Sequence, residues 1–140
     1  MSATQENYRH DRDTVDAEHE TQIGLIEALV AAVGNPAQAH AAVELMEQLQ
    51  SFCSAHFMSE ELLMRLCAYP GYDDHASDHE LTLDSLSEIA GSLESERDAA
   101  LARLAEIKGF LTRHIRSRDE AFTDYYRRWS ELGVDGQAPQ

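Results

Sequence analysis

From Ala42 to Cys67 the sequence repeats one spacing. Ala42, Met46, Leu49, Cys53, His56, Glu60, Leu63 and Cys67 follow one another at steps of three and four. That interval lines side chains up on a single face of an α-helix. A stripe this long needs a partner along most of its length, which points to helices packed side by side. The stripe is not purely apolar. His56 and Glu60, four residues apart, hold two positions where burial is expected. A buried charge without a partner is costly. Either this face meets solvent at that turn, or something in the core balances Glu60, and the apolar positions around the pair favour the second reading.

The rest of the chain supplies further helices. At 140 residues it fits one domain with one core, and its three Pro and seven Gly leave room for long helices. Residues 1–12 read as a polar arm. A first helix is expected to start at Asp13 or Thr14 and to turn Val15, His19, Gln22, Ile26, Leu29 and Val33 inward. Gly34, Asn35 and Pro36 suit a C-terminal cap, an N-cap and a first helical turn. The second helix is expected over about 36–68, closed by the turn Tyr69-Pro70-Gly71-Tyr72. Asp73 or Asp74 could cap the third, which carries His75, His79, Thr82 or Leu83, Leu86, Ile89 or Ala90, and Leu93 inward. A break is expected at 91–95, where Ser95-Glu96-Arg97-Asp98 resembles a capping box. The fourth helix turns Ala100, Leu104, Ile107, Leu111 and His114 inward.

Asp119 follows His114 by five residues, which in a regular helix leaves it roughly 140° off that face. For the two to meet, the helix must end, kink or widen between them. A short fifth segment over 119–132 offers Phe122, Tyr126 and Trp129 to the bundle edge, and 133–140 reads as a tail or linker. The expected architecture is all-α: a four-helix bundle over 13–132 with a short C-terminal fifth helix.

Charge and motifs remove several function classes. Eleven Lys and Arg against 26 Asp and Glu give a formal net charge of −15, which repels phosphate backbones, so no nucleic-acid partner is expected. No apolar run is long enough to span a membrane. Cys53 and Cys67, about 21 Å apart if one helix carries both, cannot pair with each other. Two free thiols suit a reducing, cytoplasmic setting. Ile23 stands where a His-Glu-x-x-His motif needs its second histidine, and no Glu-x-x-His pair exists. Glu61 reads as a surface charge, and Tyr125, Tyr126 and Trp129 as packing.

Seven histidines are present. His10 falls in the arm and His40 near the start of the second helix. The other five, His19, His56, His75, His79 and His114, all take inward positions, on four different helices. A single core histidine is ordinary; five on four helices, with Glu60 and Asp119, form a set of imidazole and carboxylate ligands. A structural zinc would leave several unused. Calcium and magnesium prefer oxygen-only shells. Imidazole with carboxylate suits iron, among other first-row metals. Two six-coordinate irons offer twelve positions. Five imidazoles, two bridging carboxylates and a bridging oxide or hydroxide fill eleven. The open position suits a small diatomic molecule.

His19 in Val15-Asp16-Ala17-Glu18-His19, His56-Phe57 with Glu60-Glu61, His75 with His79, and His114-Ile115 with Asp119 resemble the hemerythrin family in order and spacing, over about residues 13–129. The resemblance implies an up-down-up-down four-helix bundle. It implies that His75, His79 and His114 hold one iron, that His19 and His56 hold the other, and that Glu60 and Asp119 bridge them. Dioxygen would bind at the iron with two histidines. Phe57 and Leu111 match positions that make the oxygen pocket apolar.

The sequence departs from the family pattern at Phe110, in place of a tryptophan, and at Gln22, in place of an apolar residue. It departs again in the arm, where Tyr8 is the one aromatic residue. A polar Gln22 in the pocket implies a shorter-lived oxygenated form, with ordered water as its expected partner. Two uses follow from the resemblance: an oxygen or redox sensor that reports to a signalling output domain or partner, and an oxygen carrier or store. A chain continuing beyond Gln140 into an output domain would mark the sensor. A di-iron enzyme of peroxidase or nitric oxide reductase type, or an iron-handling protein, is the alternative.

Overall fold

The computed structural model describes the backbone of residues 3–132 and the side chains of residues 13–132. The helices are α1 (Ala3–Val33), α2 (Ala39–Leu66), α3 (Tyr72–Ala90), α4 (Arg97–His114) and α5 (Glu120–Leu132). A 3₁₀ turn, Pro36–Gln38, precedes α2, and a π-helical turn, Ile115–Asp119, joins α4 to α5 without a break. Short connections make consecutive helices antiparallel neighbours. α2 packs on α1, α3 on α2 and α4 on α3, and the α4–α5 rod returns against α1 to close the four.

The inward stripes lie where their spacing puts them. Ile26, Leu29, Leu49, Leu86, Ile89, Leu104 and Leu111 are buried in one apolar cluster that fills one part of the bundle. A smaller cluster of Met64, Cys67, Phe122 and Tyr125 lies apart from it, with Tyr69, Tyr72, Tyr126 and Trp129 packed around it. Met64, rather than the expected Leu63, takes the buried position near the end of α2. Both thiols are free and buried.

The helix ends differ from expectation in four places. α1 begins at Ala3, not at Asp13 or Thr14. No glycine or proline occurs before Gly24, so nothing in the expected arm interrupts helical backbone. α3 begins at Tyr72 after Gly71, without a side-chain cap. Asp73 and Asp74 lie inside the first turn, where their charges still meet the positive end of the helix. The capping box at Ser95 is not made; Glu96 is the N-cap and its side chain caps nothing. Asn35 does cap, accepting from the Ala37 N–H at 3.1 Å, but it caps the 3₁₀ turn. α2 closes with Ala68 at φ 51. The Tyr69 N–H donates back to Met64 O and the Ala68 N–H to Arg65 O, the paired bonds of a left-handed helix terminus. The tail at 133–140 lies outside the described residues, as do residues 1 and 2.

Candidate metal centre

All seven candidate ligands are buried and meet in one layer. His19 comes from α1, His56 and Glu60 from α2, His75 and His79 from α3, and His114 from the end of α4. Asp119 closes the π turn. A π turn bonds each N–H to the carbonyl five residues back, so it realigns residues five apart. Widening, one of the three ways open to the sequence, brings Asp119 Oδ1 to 2.9 Å from His114 Nε2.

Every close histidine contact to Glu60 or Asp119 is made through Nε2, and the two carboxylates face two ways. Glu60 Oε1 lies 2.6 Å from His75 and 3.1 Å from His79, while Oε2 lies 3.8 Å from His56. Asp119 Oδ1 lies 2.8 Å from His75 and 2.9 Å from His114, while Oδ2 lies 2.9 Å from His19. These distances are short, but the angles are poor. The Nε2 atoms of His19, His75, His79 and His114, with Glu60 Oε1 and Asp119 Oδ1, are buried without a hydrogen-bond partner. Seldom are so many buried polar atoms left unmatched. Inward-facing imidazole nitrogens and carboxylate oxygens with open lone pairs are a donor set for cations. They divide into two groups, Glu60, His75, His79, His114 and Asp119 in one, His19, His56, Glu60 and Asp119 in the other, with both carboxylates shared.

The outward ring nitrogens identify residues that sequence reasoning missed. His56 Nδ1 lies 3.0 Å from Glu18, His79 Nδ1 2.9 Å from Glu61, and His114 Nδ1 2.9 Å from Asp78. A carboxylate accepts from Nδ1–H and so leaves Nε2 free as a ligand, the usual support of a metal-bound histidine. Glu61 is therefore part of the site's frame rather than a bare surface charge. Each of these acids sits beside a candidate ligand in sequence and reaches a histidine on the next helix. That adjacency was the signal available for finding them.

Charge follows the same geometry. Burial lowers the His75 pKa, but the close Asp119 and Glu60 carboxylates outweigh it and raise it to about 9. Burial alone would raise the pKa of Asp119 and of Glu60. Their histidine neighbours reverse this and hold both below the ordinary carboxylate range.

The residues expected in the oxygen pocket are brought close, in an order of their own. Phe57 stacks on the His79 ring at 4.0 Å and lies 5.8 Å from His56. Leu111 is buried in the larger apolar cluster, one turn before His114. Gln22 is fully buried, and its Nε2 donates to Cys53 Sγ at 3.2 Å. Gln22 follows His19 by three residues and Cys53 precedes His56 by three, so the pair sits one turn from the two-histidine group. His19 is the most exposed of the five histidines and lines a surface groove of about 390 Å³ with Ile23, Thr112, Ile115 and Arg116.

Burial pushes the Cys53 thiol from 9.0 up to about 11, although the Gln22 bond works the other way. Between those values the unfolded chain gives up a proton that the folded chain keeps. Stability should therefore fall as pH rises from 9 to 11, by about 1.4 kcal/mol per unit from this group. Urea denaturation of Cys53→Ala should show that part of the alkaline slope missing. Equal slopes in both proteins would mean that the buried thiol ionises freely.

The hemerythrin HHE cation binding domain matches residues 10–126, most of the chain. The chain belongs to the hemerythrin family. Among its hemerythrin relatives, a bacteriohemerythrin of Pseudomonas paraeruginosa is 32% identical over 127 residues, which is 86% of this chain and 79% of the relative. One of Pseudomonas aeruginosa gives the same figures. A bacteriohemerythrin of Stenotrophomonas maltophilia is 26% identical over 112 residues, 80% of this chain and 72% of the relative. No solved structure gives a significant match. Hemerythrin membership and the buried histidine and carboxylate cluster together support a non-heme iron, oxygen-binding protein. No helix among the described residues is long and apolar enough to cross a membrane.

Proposed function

We propose that the chain binds dioxygen reversibly at a centre of two irons bridged by oxide or hydroxide, and that it senses oxygen or redox state rather than catalysing a reaction. His75, His79 and His114 would hold one iron, His19 and His56 the other, and Glu60 and Asp119 would be shared between them. The observation that carries this reading is the two-sided carboxylate geometry, above all Asp119 with one oxygen on His114 and the other on His19. Iron there would supply the electrons that dioxygen takes up. The protein's own residues set access and polarity. The groove at His19 gives a small molecule a route to the two-histidine half. Phe57 and Phe110 lie against the rings of His79 and His114. Ligands this enclosed leave little room for an organic substrate. The two buried free thiols favour a reducing compartment such as the cytoplasm.

Anaerobically reduced, iron-loaded protein should take up close to one dioxygen per chain and release it under argon. Irreversible uptake, or none, would contradict the proposal.

The sensing role rests on Gln22. A buried amide beside the two-histidine half brings N–H donors where relatives of the family pattern have hydrocarbon. The visible band that develops in air should therefore decay faster than in a chain with leucine there, which suits a module that must reset. Gln22→Leu should lengthen its life several-fold at equal pH without azide. An unchanged lifetime would mean that the Gln22 amide, held on Cys53, does not reach the pocket, and a shorter one that it stabilises the oxygenated form by hydrogen bonding instead. Such a chain would suit a carrier or store.

A further inference from the structure

Asp78 does more than orient His114. The oxygen that faces His114 Nδ1 at 2.9 Å, Oδ2, also forms an ion pair with Arg118, whose Nε lies 2.7 Å away. Arg118 belongs to the π turn, between the two residues that turn brings together, His114 and Asp119. The contacts close a ring: His114 at the end of α4, Asp78 on α3, Arg118 in the turn, and Asp119 next to it in the chain. The Arg118 guanidinium also lies 3.9 Å from Asp74. Asp74 and Asp78 are like charges four apart on one helix, which repel each other. A cation between them holds Asp78 in place for His114.

We infer that Arg118 is a positioning residue for the three-histidine half of the site: through Asp78 it fixes the His114 ring, and it ties the π turn that delivers Asp119 to α3. The physical need is plain. A π turn is rarer than the α-helix on either side of it and persists where something holds it. Asp78 is partly exposed, so without Arg118 its carboxylate is free to turn toward water and leave Nδ1 of His114 unsupported. Loss of such a support costs about 10–100-fold in metal affinity. Glu18 serves His56 in the other half, so the larger loss should fall on the three-histidine half, with a smaller one passed on through the shared Asp119.

This inference rests on the two-cation reading of the site, and Co²⁺ is a suitable probe for both. The full chain would be loaded with Co²⁺ and challenged with excess chelator, with release followed by absorbance. Wild type should hold two ions. Arg118→Gln should speed release of one of them by about tenfold, with a changed visible spectrum for that ion. Arg118→Lys, which keeps the charge without the guanidinium fork, should restore part of the difference. In the metal-free chain, nitrogen NMR should show the His114 proton on Nδ1, and Asp78→Asn or Arg118→Gln should shift it toward a mixture of tautomers.

Unchanged release of both ions in Arg118→Gln would overturn the inference and leave the two-cation centre standing. Equal acceleration of both, in step with a fall in the melting temperature of the metal-free chain, would also overturn it, because Arg118 would then serve general stability. A wild-type chain that takes up fewer than two ions would contradict the centre itself. The ring spectra would then decide the positioning role, and a His114 tautomer unmoved in both variants would refute it.

Discussion

Glu60→Ala should lose at least one iron per chain and melt well below wild type. Glu60 faces three histidines, with Oε1 toward His75 and His79 and Oε2 toward His56. Glu60 belongs to both candidate ligand groups, so on the proposed reading alanine removes a ligand from each half at once. It also leaves Asp119 as the one carboxylate of the described residues that faces the inward Nε2 atoms. Breaking a buried charge pair from one side costs about 3–5 kcal/mol, and the lost metal adds to that. Glu60→Gln should fall between, because the amide oxygen can still meet one metal but not bridge two. Metal analysis and thermal melts of the reconstituted variants measure this. A Glu60→Ala chain that keeps both irons and the wild-type spectrum would show that Glu60 does not bridge.

Removing the metal should loosen one end of the bundle rather than the whole. The ligand layer separates the larger apolar cluster, with Ile26, Leu49, Leu86 and Leu104, from the smaller one around Met64, Phe122 and Tyr125. The large cluster is apolar throughout and needs no metal. The small one is joined to it through His56, Glu60, His75 and Asp119. A ligand present at a thousand times its dissociation constant stabilises by about 4 kcal/mol. At this chain length that corresponds to a melting shift on the order of 10 °C. Hydrogen exchange in the metal-free chain should rise first over 64–72 and 120–132, while 26–29 and 46–49 stay protected. Uniform loss of protection along the chain would mean that the metal layer and both clusters unfold as one unit.

The three-and-four spacing was enough to place most of the bundle. Ile26 and Leu29 in α1, Met46 and Leu49 in α2, and Leu104 to Leu111 in α4 are buried where periodicity puts them. It also placed all five buried histidines, because a polar residue in an apolar stripe is visible without coordinates. Helix ends were harder to read. Asp73, Asp74 and Ser95 are all good capping residues in isolation, but the chain enters α3 from Gly71 and α4 from Glu96. Local preference for a cap is worth about 1 kcal/mol, less than the packing that sets how the chain enters each helix. The π turn was legible as a conflict between His114 and Asp119, not as its solution, since the wide turn depends on what lies across from it. Glu18, Glu61 and Asp78 were missed for a related reason. Each points to a histidine on another helix, and a single-helix pattern carries no information on contacts across helices.

The most direct test is to reconstitute the chain with ferrous iron under anaerobic conditions, count the iron, and record the visible spectrum before and after exposure to air. The account predicts two irons per chain, a reduced form with little visible colour, and a charge-transfer band that appears with oxygen and fades when oxygen is removed. One zinc bound in preference to iron, a single iron per chain, or a spectrum indifferent to oxygen would contradict it.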